Sequence, residues 1–384
     1  MIGLIQTLWN KTLRLHWGLL FFVTALCCFG FLLMYAAAGG SMDPYASRQM
    51  VRFAIGLGIM WLIAMTDPKL LYRSMPYLIY GLALILLIYA AVRGHTGMGA
   101  TRWVNLGFFL LQPSELMKVG VVLMLARFYH TRPAASINTP GNLIIPALIM
   151  LMPAALVFDQ PDLGTAIIIV ALGVCVMFAA GVSLKLFTFL GVAGAAMLPI
   201  AWSFLHDYQK NRVLTFLDPE RDPLGAGYHI IQSKIAIGSA GLWGKGFLQG
   251  TQSQLAFLPE KHTDFIFTLL TEEMGFVGAF VLMLCFAFVL LFCATTAVRS
   301  QNTFNTILCT GIMLMIFFHA FINMAMVMGL LPVVGVPLPF VSYGGSSLLT
   351  MMIAIGLVMN SYVHKEVVIP GAVGLSAERV FHKW

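Results

Sequence analysis

Ionisable side chains are concentrated just before a long apolar run in the second half of the chain, at Glu260, His262, Asp264, Glu272 and Glu273. Asp264 is followed directly by apolar residues, and desolvation by such neighbours raises the pKa of a carboxyl group, as a general base near neutral pH requires. The alternative is structural, because Thr263 or Asp264 before an apolar run is a common helix N-cap. The residues alone leave both interpretations open.

Two further acidic motifs occur at the ends of apolar runs. Glu115 and Lys118 are three positions apart, so they share one face of a helix and could form a buried ion pair. Alternatively, Lys118 could bind an anionic head group. In Asp159-Gln-Pro-Asp162 a tight turn joins two runs, and Asp162 could either be the N-cap of the next helix or take part in a site with Asp159.

The segment Gly329–Ser347 is rich in proline and glycine and opens into the last helix through small hydroxyl residues, among them Ser342 and Ser346. Non-helical backbone at membrane depth survives only where it is buried in protein or lines a wet cavity. The amide groups at the following helix start could bind an anion such as phosphate. This segment is therefore a second candidate part of a site.

Trp103 has a structural explanation beside a functional one, whereas His319 and Asn323 have only a structural one. Trp103, next to Arg102, could be an interfacial anchor or a platform on which a sugar stacks. His319 and Asn323 are four residues apart on one helix face, and we expect them to form hydrogen bonds within the helix bundle.

The composition places these motifs in a membrane protein. The 384 residues are 60% hydrophobic and 10% charged, whereas a soluble domain has about 25% charged residues. The net charge of +7 comes from basic residues dispersed at segment ends, which argues against a nucleic-acid-binding protein.

We predict an all-α polytopic integral membrane protein, with one membrane domain over residues 1–384 and about ten transmembrane helices. The apolar runs are 17–38, 50–66, 75–92, 113–130, 142–158, 162–181, 184–204, 275–298, 304–330 and 347–363.

The distribution of lysine and arginine predicts the orientation. An even number of spans puts both termini on one side, and short cytoplasmic loops are enriched in basic residues. The N-terminal side carries Lys11, Arg14, Lys69, Arg73, Arg127, Arg132, Lys185, Arg299, Lys365, Arg379 and Lys383, and the short loops opposite carry Arg48, Arg52, Arg93 and Arg102. Both termini are therefore predicted to be cytoplasmic, including the tail 367–384.

This orientation places the large hydrophilic loop 205–264 outside the cell. An amphipathic stretch at about 228–240 could lie flat on the membrane. Loops of this length are usually functional. The sequence has no phosphate-binding GxxxxGK[ST] loop, dinucleotide fingerprint, metal-ligand cluster or nucleophile elbow, so ATP-driven transport by this chain alone is not expected.

At these residues the sequence resembles the SEDS family (shape, elongation, division and sporulation), from about residue 17 to 365. The most specific matches are 258–275 and 329–347, and Gly250-Thr-Gln-Ser-Gln-Leu255 favours the elongation type over the division type. The resemblance implies a peptidoglycan glycosyltransferase that polymerises lipid II in the bacterial cytoplasmic membrane. It also implies a class B penicillin-binding protein, a transpeptidase, as partner, besides lipid II and membrane lipid.

The family's essential acidic residue maps onto Asp264, which we therefore predict to be the catalytic base of an inverting displacement of polyprenyl pyrophosphate. The scheme names no certain cofactor, and a bound Mg²⁺ or Mn²⁺ could help to neutralise the charge of the leaving group. The candidate substrate-binding residues are Arg48, Arg102, Trp103, Glu115, Lys118, Asp159, His262, Ser342 and Ser346.

Two other functions stay open on the sequence. A transporter that flips the lipid-linked precursor would need ionisable groups and broken helices near the bilayer midplane, whereas the acidic residues here gather at the outer face. A non-catalytic scaffold that activates the transpeptidase would tolerate neutralisation of Asp264.

Overall fold

A computed structural model describes residues 9–93, 95–97, 100–105, 107, 110–204, 207–221, 226–254 and 261–369. The helices are α1 (Trp17–Ala37), α2 (Ala46–Met65), α3 (Pro68–Arg93), α4 (Pro113–His130), α5 (Pro140–Asp159), α6 (Leu163–Ala179), α7 (Leu184–Phe204), α8 (Asp207–Leu217), α9 (Ala226–Ser239), α10 (Ile266–Val298), α11 (Thr303–Val327) and α12 (Gly345–Val363). The strands are β1 (His95–Gly97), β2 (Ala100–Asn105) and β3 (Leu110–Leu111).

Each of the apolar runs in the sequence falls on one of these helices. Within the described ranges, seven helices are long and apolar enough to cross a membrane, namely α1, α2, α3, α5, α10, α11 and α12. The other helices that match apolar runs are α4, which carries Glu115, Lys118 and Arg127, α6, which has 17 residues, and α7. The chain is thus a polytopic α-helical membrane protein.

A small sheet between α3 and α4, which the sequence did not predict, adds to the helical architecture. Its strand order is β1-β2-β3, and both pairs are antiparallel, with His95 opposite Trp103 and Val104 opposite Leu111. The strands are too short, at two to six residues, for an alternating pattern to stand out in the sequence. The sheet fixes the position of Arg102 and Trp103 on β2.

The segment 205–264, predicted as a hydrophilic loop, is largely helical where it is described. It contains α8, a 3₁₀ turn at Pro219–Arg221, α9 and a helical turn at Thr251–Gln254, while 205–206, 222–225 and 255–260 lie outside the described residues. On α9, the fully buried Ser233 donates its hydroxyl to the carbonyl of Val327 at 2.7 Å. Therefore α9 packs on the end of α11, and its contact with a membrane surface stays a prediction.

Helix α10 begins at Ile266, nine residues before the predicted start of its span at residue 275, and it is broken at Gly275 (φ 66°, ψ −160°). Glu272 and Glu273, whose charge suggested an exterior segment, are buried. The Glu272 carboxylate accepts hydrogen bonds from Nζ of Lys245 at 2.9 Å and from the amide of Gln252 at 2.8 Å. The burial of Glu272 is therefore compensated by the segment that precedes α10.

The residues after α12 fold back onto the turn between α10 and α11. The side chain of Asn302 donates to the carbonyl of Val367 at 2.7 Å and accepts from the amide of Ile369 at 2.8 Å. The rest of the predicted tail, 370–384, lies outside the described residues.

Candidate active site

The starts of α2, α4, α6, α10 and α12 meet at one end of the bundle. Gln49 near the start of α2 donates its side-chain amide to the carbonyl of Ser342 at 3.2 Å, just before α12. Asn360 near the end of α12 donates to the carbonyl of Thr66 after α2 at 2.7 Å. These two helices are therefore parallel, and the candidate site residues gather at the end where they start.

At this end, the backbone of residues 262–264 is fixed by three successive hydrogen bonds. In chain order, the three carbonyl groups accept from the amide of Tyr343 at 2.9 Å, the hydroxyl of Ser342 at 2.7 Å and the side-chain amide of Asn323 at 2.9 Å. Because all three bonds are made by main-chain oxygens, the side chain of Asp264 takes no part in them.

The N-cap alternative for Asp264 is wrong. The N-cap residue of α10 is Phe265, and the helix begins at Ile266. The half-buried carboxylate of Asp264 instead faces Gly335, where its Oδ2 lies 3.4 Å from the position that a Cβ would occupy. The carboxylate thus lies against the loop 328–344 and does not cap α10.

The second half of the 328–344 loop is largely buried between helices, at 336–342, whereas Met328, Leu330 and Gly335 are exposed. Non-helical backbone at membrane depth is tolerated where it is buried in protein or lines a wet cavity. A Cβ on Gly30 of α1 would lie 2.5 Å from the carbonyl oxygen of Val341, and one on Gly164 of α6 would lie 2.8 Å from Cβ of Val334. The two glycines allow α1 and α6 to approach the loop closely. The loop therefore packs closely against α1 and α6 and lies beside Asp264.

An aromatic cluster places a cation next to residues 262–264. The His262 ring stacks on Tyr45 at a centroid distance of 4.1 Å, and the Tyr343 ring lies edge-on to Tyr45 at 5.3 Å. The guanidinium carbon of Arg52 lies 4.9 Å from the centre of the Tyr343 ring, and its Nη1 donates to Gln49 at 3.4 Å. Among the described residues, Arg52 has no carboxylate within ion-pair distance.

Arg52 was not among the candidates from the sequence, which named Arg48. The two arginines are one helical turn apart on α2, and Arg48 is exposed, whereas Arg52 is half-buried over Tyr343. The i, i+4 spacing was visible in the sequence, but nothing there said which arginine points toward Tyr343.

Glu115, Lys118 and His319 form a fully buried polar cluster. Nζ of Lys118 lies 2.7 Å from Oε1 of Glu115 and 2.5 Å from Nε2 of His319. Nδ1 of His319 lies 2.7 Å from the carbonyl of Met315, which can only accept, so Nδ1 carries the proton and Nε2 accepts from the ammonium group. The buried ion pair is therefore present, with a neutral histidine as a third member.

The same geometry separates Lys118 from any head group. Its side chain is only 1% exposed and is engaged by both partners. Contact between Lys118 and an anionic ligand would require the bundle to open. In this conformation the cluster joins α4 to α11.

Breaking this cluster on one side is expected to destabilise the protein strongly. Lys118→Met leaves a buried carboxylate without its cation, which typically lowers stability by about 3–5 kcal/mol. The double variant Lys118→Met with Glu115→Gln removes both charges and should recover most of that loss. Thermal unfolding of the purified variants measures both, and a single variant as stable as the double one would contradict the expectation.

Arg102 holds the turn between α5 and α6. Its guanidinium donates to the carbonyls of Pro161 at 2.6 Å and Gln160 at 3.3 Å, and it lies 3.7 Å from the carboxylate of Asp162. Asp162 also accepts from the amide of Thr165 at 3.2 Å, so it is the N-cap of α6, as one of the two interpretations predicted. Asp159 is exposed beside this turn, and Trp103 is half-buried on β2.

The hydroxyl groups of Ser342 and Ser346, both candidate substrate ligands, are used within the protein. Ser342 donates to Thr263 and accepts from the amide of Leu338 at 2.8 Å. Ser346 accepts from the amide of Gln112 at 3.0 Å and donates to the carbonyl of Leu110 at 2.8 Å. Both serines therefore tie loops to the start of α12.

Lys261, three residues before Asp264 in the chain, is half-buried and interacts electrostatically with Glu273 and Glu272. Burial lowers the pKa of its ammonium group, and the carboxylates of Glu273 and Glu272 act in the opposite direction. Within the described part of the chain, no group of three or more His, Cys, Asp or Glu side chains could hold a metal ion.

A family model for cell cycle proteins of the FtsW, RodA and SpoVE type matches residues 17–367. The chain belongs to this family. Peptidoglycan glycosyltransferase MrdB of Escherichia coli strain K12 is 45% identical over 94% of this chain and 96% of its own length. Probable peptidoglycan glycosyltransferase FtsW of Trichlorobacter lovleyi is 35% identical over 89% of this chain and 91% of its own length.

Solved structures of the FtsW/RodA/SpoVE family have the same fold. The rod shape determining protein RodA of Thermus thermophilus is 28% identical, with a TM-score of 0.69 over 92% of this chain and 98% of its own. A chain from a peptidoglycan synthase complex that coordinates polymerization and crosslinking is 34% identical, with a TM-score of 0.78 over 91% of this chain and 97% of its own. The resemblance inferred from the sequence motifs is confirmed.

Proposed function

We propose that this protein is a peptidoglycan glycosyltransferase that polymerises lipid II into β-1,4 glycan strands for cell elongation and rod shape. The observation that carries the proposal is the half-buried carboxylate of Asp264, held at one end of a membrane bundle by three main-chain hydrogen bonds of residues 262–264. The relatives named peptidoglycan glycosyltransferase MrdB and FtsW support it over most of the chain.

The proposed orientation puts this end of the bundle outside the cytoplasmic membrane. Helices α1 to α7 and α10 to α12 would be ten spans, with both termini cytoplasmic. The basic residues of the termini and short loops lie mostly at the opposite end, for example Arg73, Arg132 and Arg299, which supports this orientation; the long segment 205–264 is set aside because the rule applies to short loops. The substrate would then reach the site within the outer leaflet.

The proposed reaction is a single inverting displacement. Asp264 takes the proton from the C4 hydroxyl of the acceptor sugar while that oxygen attacks the anomeric carbon of the donor. The bond from the anomeric carbon to the pyrophosphate oxygen breaks, and the polyprenyl pyrophosphate leaves with the electron pair. One carboxylate is sufficient, because pyrophosphate leaves without a general acid.

The negative charge of the leaving group requires a cation, and Arg52 is the best placed candidate. It lies over Tyr343, next to residues 262–264, without a carboxylate partner among the described residues. Lys118 is enclosed by Glu115 and His319, and Arg102 is occupied by the turn before α6. We therefore assign the pyrophosphate contact to Arg52, with the exposed Arg48 as a second contact.

Arg52→Ala is expected to lower kcat/KM for lipid II polymerisation by about tenfold or more, since a charge-assisted contact to phosphate is worth about 1.5–3 kcal/mol. Arg93→Ala is the matched control, because Arg93 is an exposed arginine at the same end of the bundle. Steady-state polymerisation rates measure both. Equal rates for the two variants would remove Arg52 from the site.

The proposed partner is a class B penicillin-binding protein, which would crosslink the new strands. A solved chain from a peptidoglycan synthase complex matches 91% of the present chain. This match supports a penicillin-binding protein as the partner.

The experiment that tests the function is a polymerisation assay with the purified protein and lipid II, with and without this transpeptidase, with gel analysis of glycan strands. We expect strands in the presence of the partner. Passage of intact lipid II across proteoliposomes without strand formation would instead indicate a transporter. Strands made only by the partner would indicate a scaffold.

A further inference from the structure

Asn323 on α11 joins the two segments that enclose the carboxylate of Asp264. Its Nδ2 donates to the carbonyl of Asp264 at 2.9 Å and to the carbonyl of Val336 at 2.7 Å. The side chain is fully buried. Carbonyl oxygens only accept hydrogen bonds, so the amide nitrogen must face both of them.

The two carbonyls belong to the two segments that meet where the Asp264 carboxylate contacts Gly335. Asp264 lies two residues before the start of α10, and Val336 follows Gly335, the residue that faces the carboxylate. Gly335 has φ +70°, a conformation that disfavours other residues. Both protons of one amide group therefore fix the distance between the Asp264 backbone and the loop backbone against which its carboxylate lies.

The acceptor side of Asn323 contributes nothing to this arrangement. Its Oδ1 is buried and has no hydrogen-bond partner among the described residues. A side chain that served only to fill space would be apolar, because a buried polar atom without a partner costs free energy. The position therefore requires a side chain that donates two hydrogen bonds, as the amide nitrogen of Asn323 does.

We infer that Asn323 is a positioning residue for the glycosyl transfer, which sets the position of the Asp264 carboxylate through its main chain. The inference rests on the proposed role of Asp264 as the base. It assigns no contact between Asn323 and the substrate. Loss of the double donor should lower the rate of the chemical step more than substrate binding, because small displacements of a catalytic group lower rates by up to about a hundredfold.

Asn360 provides a matched control at the other end of the bundle. It is equally enclosed, and its Nδ2 donates to the carbonyls of Ile63 at 2.9 Å and Thr66 at 2.7 Å. Asn360→Asp and Asn323→Asp therefore make the same chemical change in the same kind of hydrogen-bonding site. Of these two asparagines, only Asn323 contacts residues 262–264.

The experiment measures kcat and KM for lipid II polymerisation by the full-length protein with its transpeptidase partner, together with thermal stability, for both variants and for Asp264→Asn. We expect Asn323→Asp to lower kcat by about tenfold to a hundredfold with little change in KM. Asn360→Asp should lose comparable stability and keep the kcat of the folded protein. Asn323→Ala, which adds no charge, and Gly335→Ala, which leaves the amide in place but alters the loop beside the carboxylate, should also lower kcat.

Three outcomes would overturn the inference. One is wild-type kcat in Asn323→Asp. The second is an equal loss of kcat in Asn360→Asp, which would indicate a general effect of stability. The third is failure of all Asn323 and Gly335 variants to accumulate while Asn360→Asp accumulates, which would make this a folding contact only. If Asp264→Asn remains active, the assignment of the base fails, whatever the Asn323 variants do.

Discussion

The Asp264→Asn variant is expected to fold normally and to lose lipid II polymerisation by a factor of about 10² to 10⁴, the usual contribution of a general base. Asparagine has nearly the same size as aspartate but cannot take the proton of the attacking hydroxyl. The hydrogen bonds that fix residues 262–264 use main-chain oxygens, so the substitution leaves them in place. Glycan strand formation by the purified complex measures the loss.

Two further variants separate the chemical role of Asp264 from a structural one. Asp264→Glu keeps the carboxylate one methylene away and should retain part of the activity. Asp218→Asn neutralises an exposed aspartate of the same long segment and should leave the rate unchanged. If Asp264→Asn polymerised at the wild-type rate, the proposed mechanism would be excluded, and loss of folded protein would be visible as reduced membrane accumulation.

The Gly275→Ala variant is expected to be the most destabilising single-atom addition in the described part of α10. Its φ of 66° with ψ of −160° is a conformation that is essentially restricted to glycine. A Cβ there would overlap the amide of Gly244 and lie 2.5 Å from the carbonyl of Leu242. Strain and overlap together should lower stability by about 3 kcal/mol or more.

The reason for this close contact is that the 241–246 segment completes the hydrogen bonds interrupted at the break. The carbonyls of Glu272 and Glu273 accept from the amides of Lys245 at 2.9 Å and Gly246 at 3.1 Å. The amides of Phe276 and Val277 donate back to Gly241 and Leu242 at 3.0 and 3.1 Å.

Gly58→Ala and Gly81→Ala are suitable controls for this prediction. Both glycines lie inside helices, and a Cβ at either position would meet no atom within 4 Å. Thermal unfolding should show a large loss for Gly275→Ala and none for the controls, since alanine is the better helix former. A Gly275→Ala melting temperature equal to that of the wild type would mean that the break adapts to a side chain.

The sequence provided candidate site residues where an ionisable residue type and its position in the chain coincide, and the catalytic role of Asp264 stays a prediction. Asp264 followed from an acidic group beside apolar sequence together with the family motif, and the Glu115–Lys118 pair followed from helical spacing, which the structure confirms as an ion pair. Arg52, His319 as a partner of Lys118, and Asn323 as a ligand of the Asp264 backbone did not follow. Each of these contacts joins residues far apart in the chain, such as 118 with 319 and 264 with 323.

The roles of Ser342, Ser346 and Arg102 also depended on tertiary contacts. The sequence shows polar groups that could meet a substrate, but it does not show whether a nearby carbonyl already uses them. In the fold, all three side chains satisfy main-chain groups of turns and loops. Buried main-chain groups must be paired, so polar side chains near irregular backbone are used for that purpose first.

The sequence by itself determined that the protein is embedded in a membrane. It also determined the approximate positions of its helices and the acidic segment that carries Asp264. These properties depend on residue type and local spacing, because hydrophobicity and helical periodicity act along the chain. Only the tertiary structure decided that Asp264 does not cap α10, that Glu272 and Glu273 are buried, and that Arg52 lies over the Tyr343 ring. These properties depend on hydrogen bonds and close contacts between segments distant in sequence, whose partners are fixed only when the helices pack.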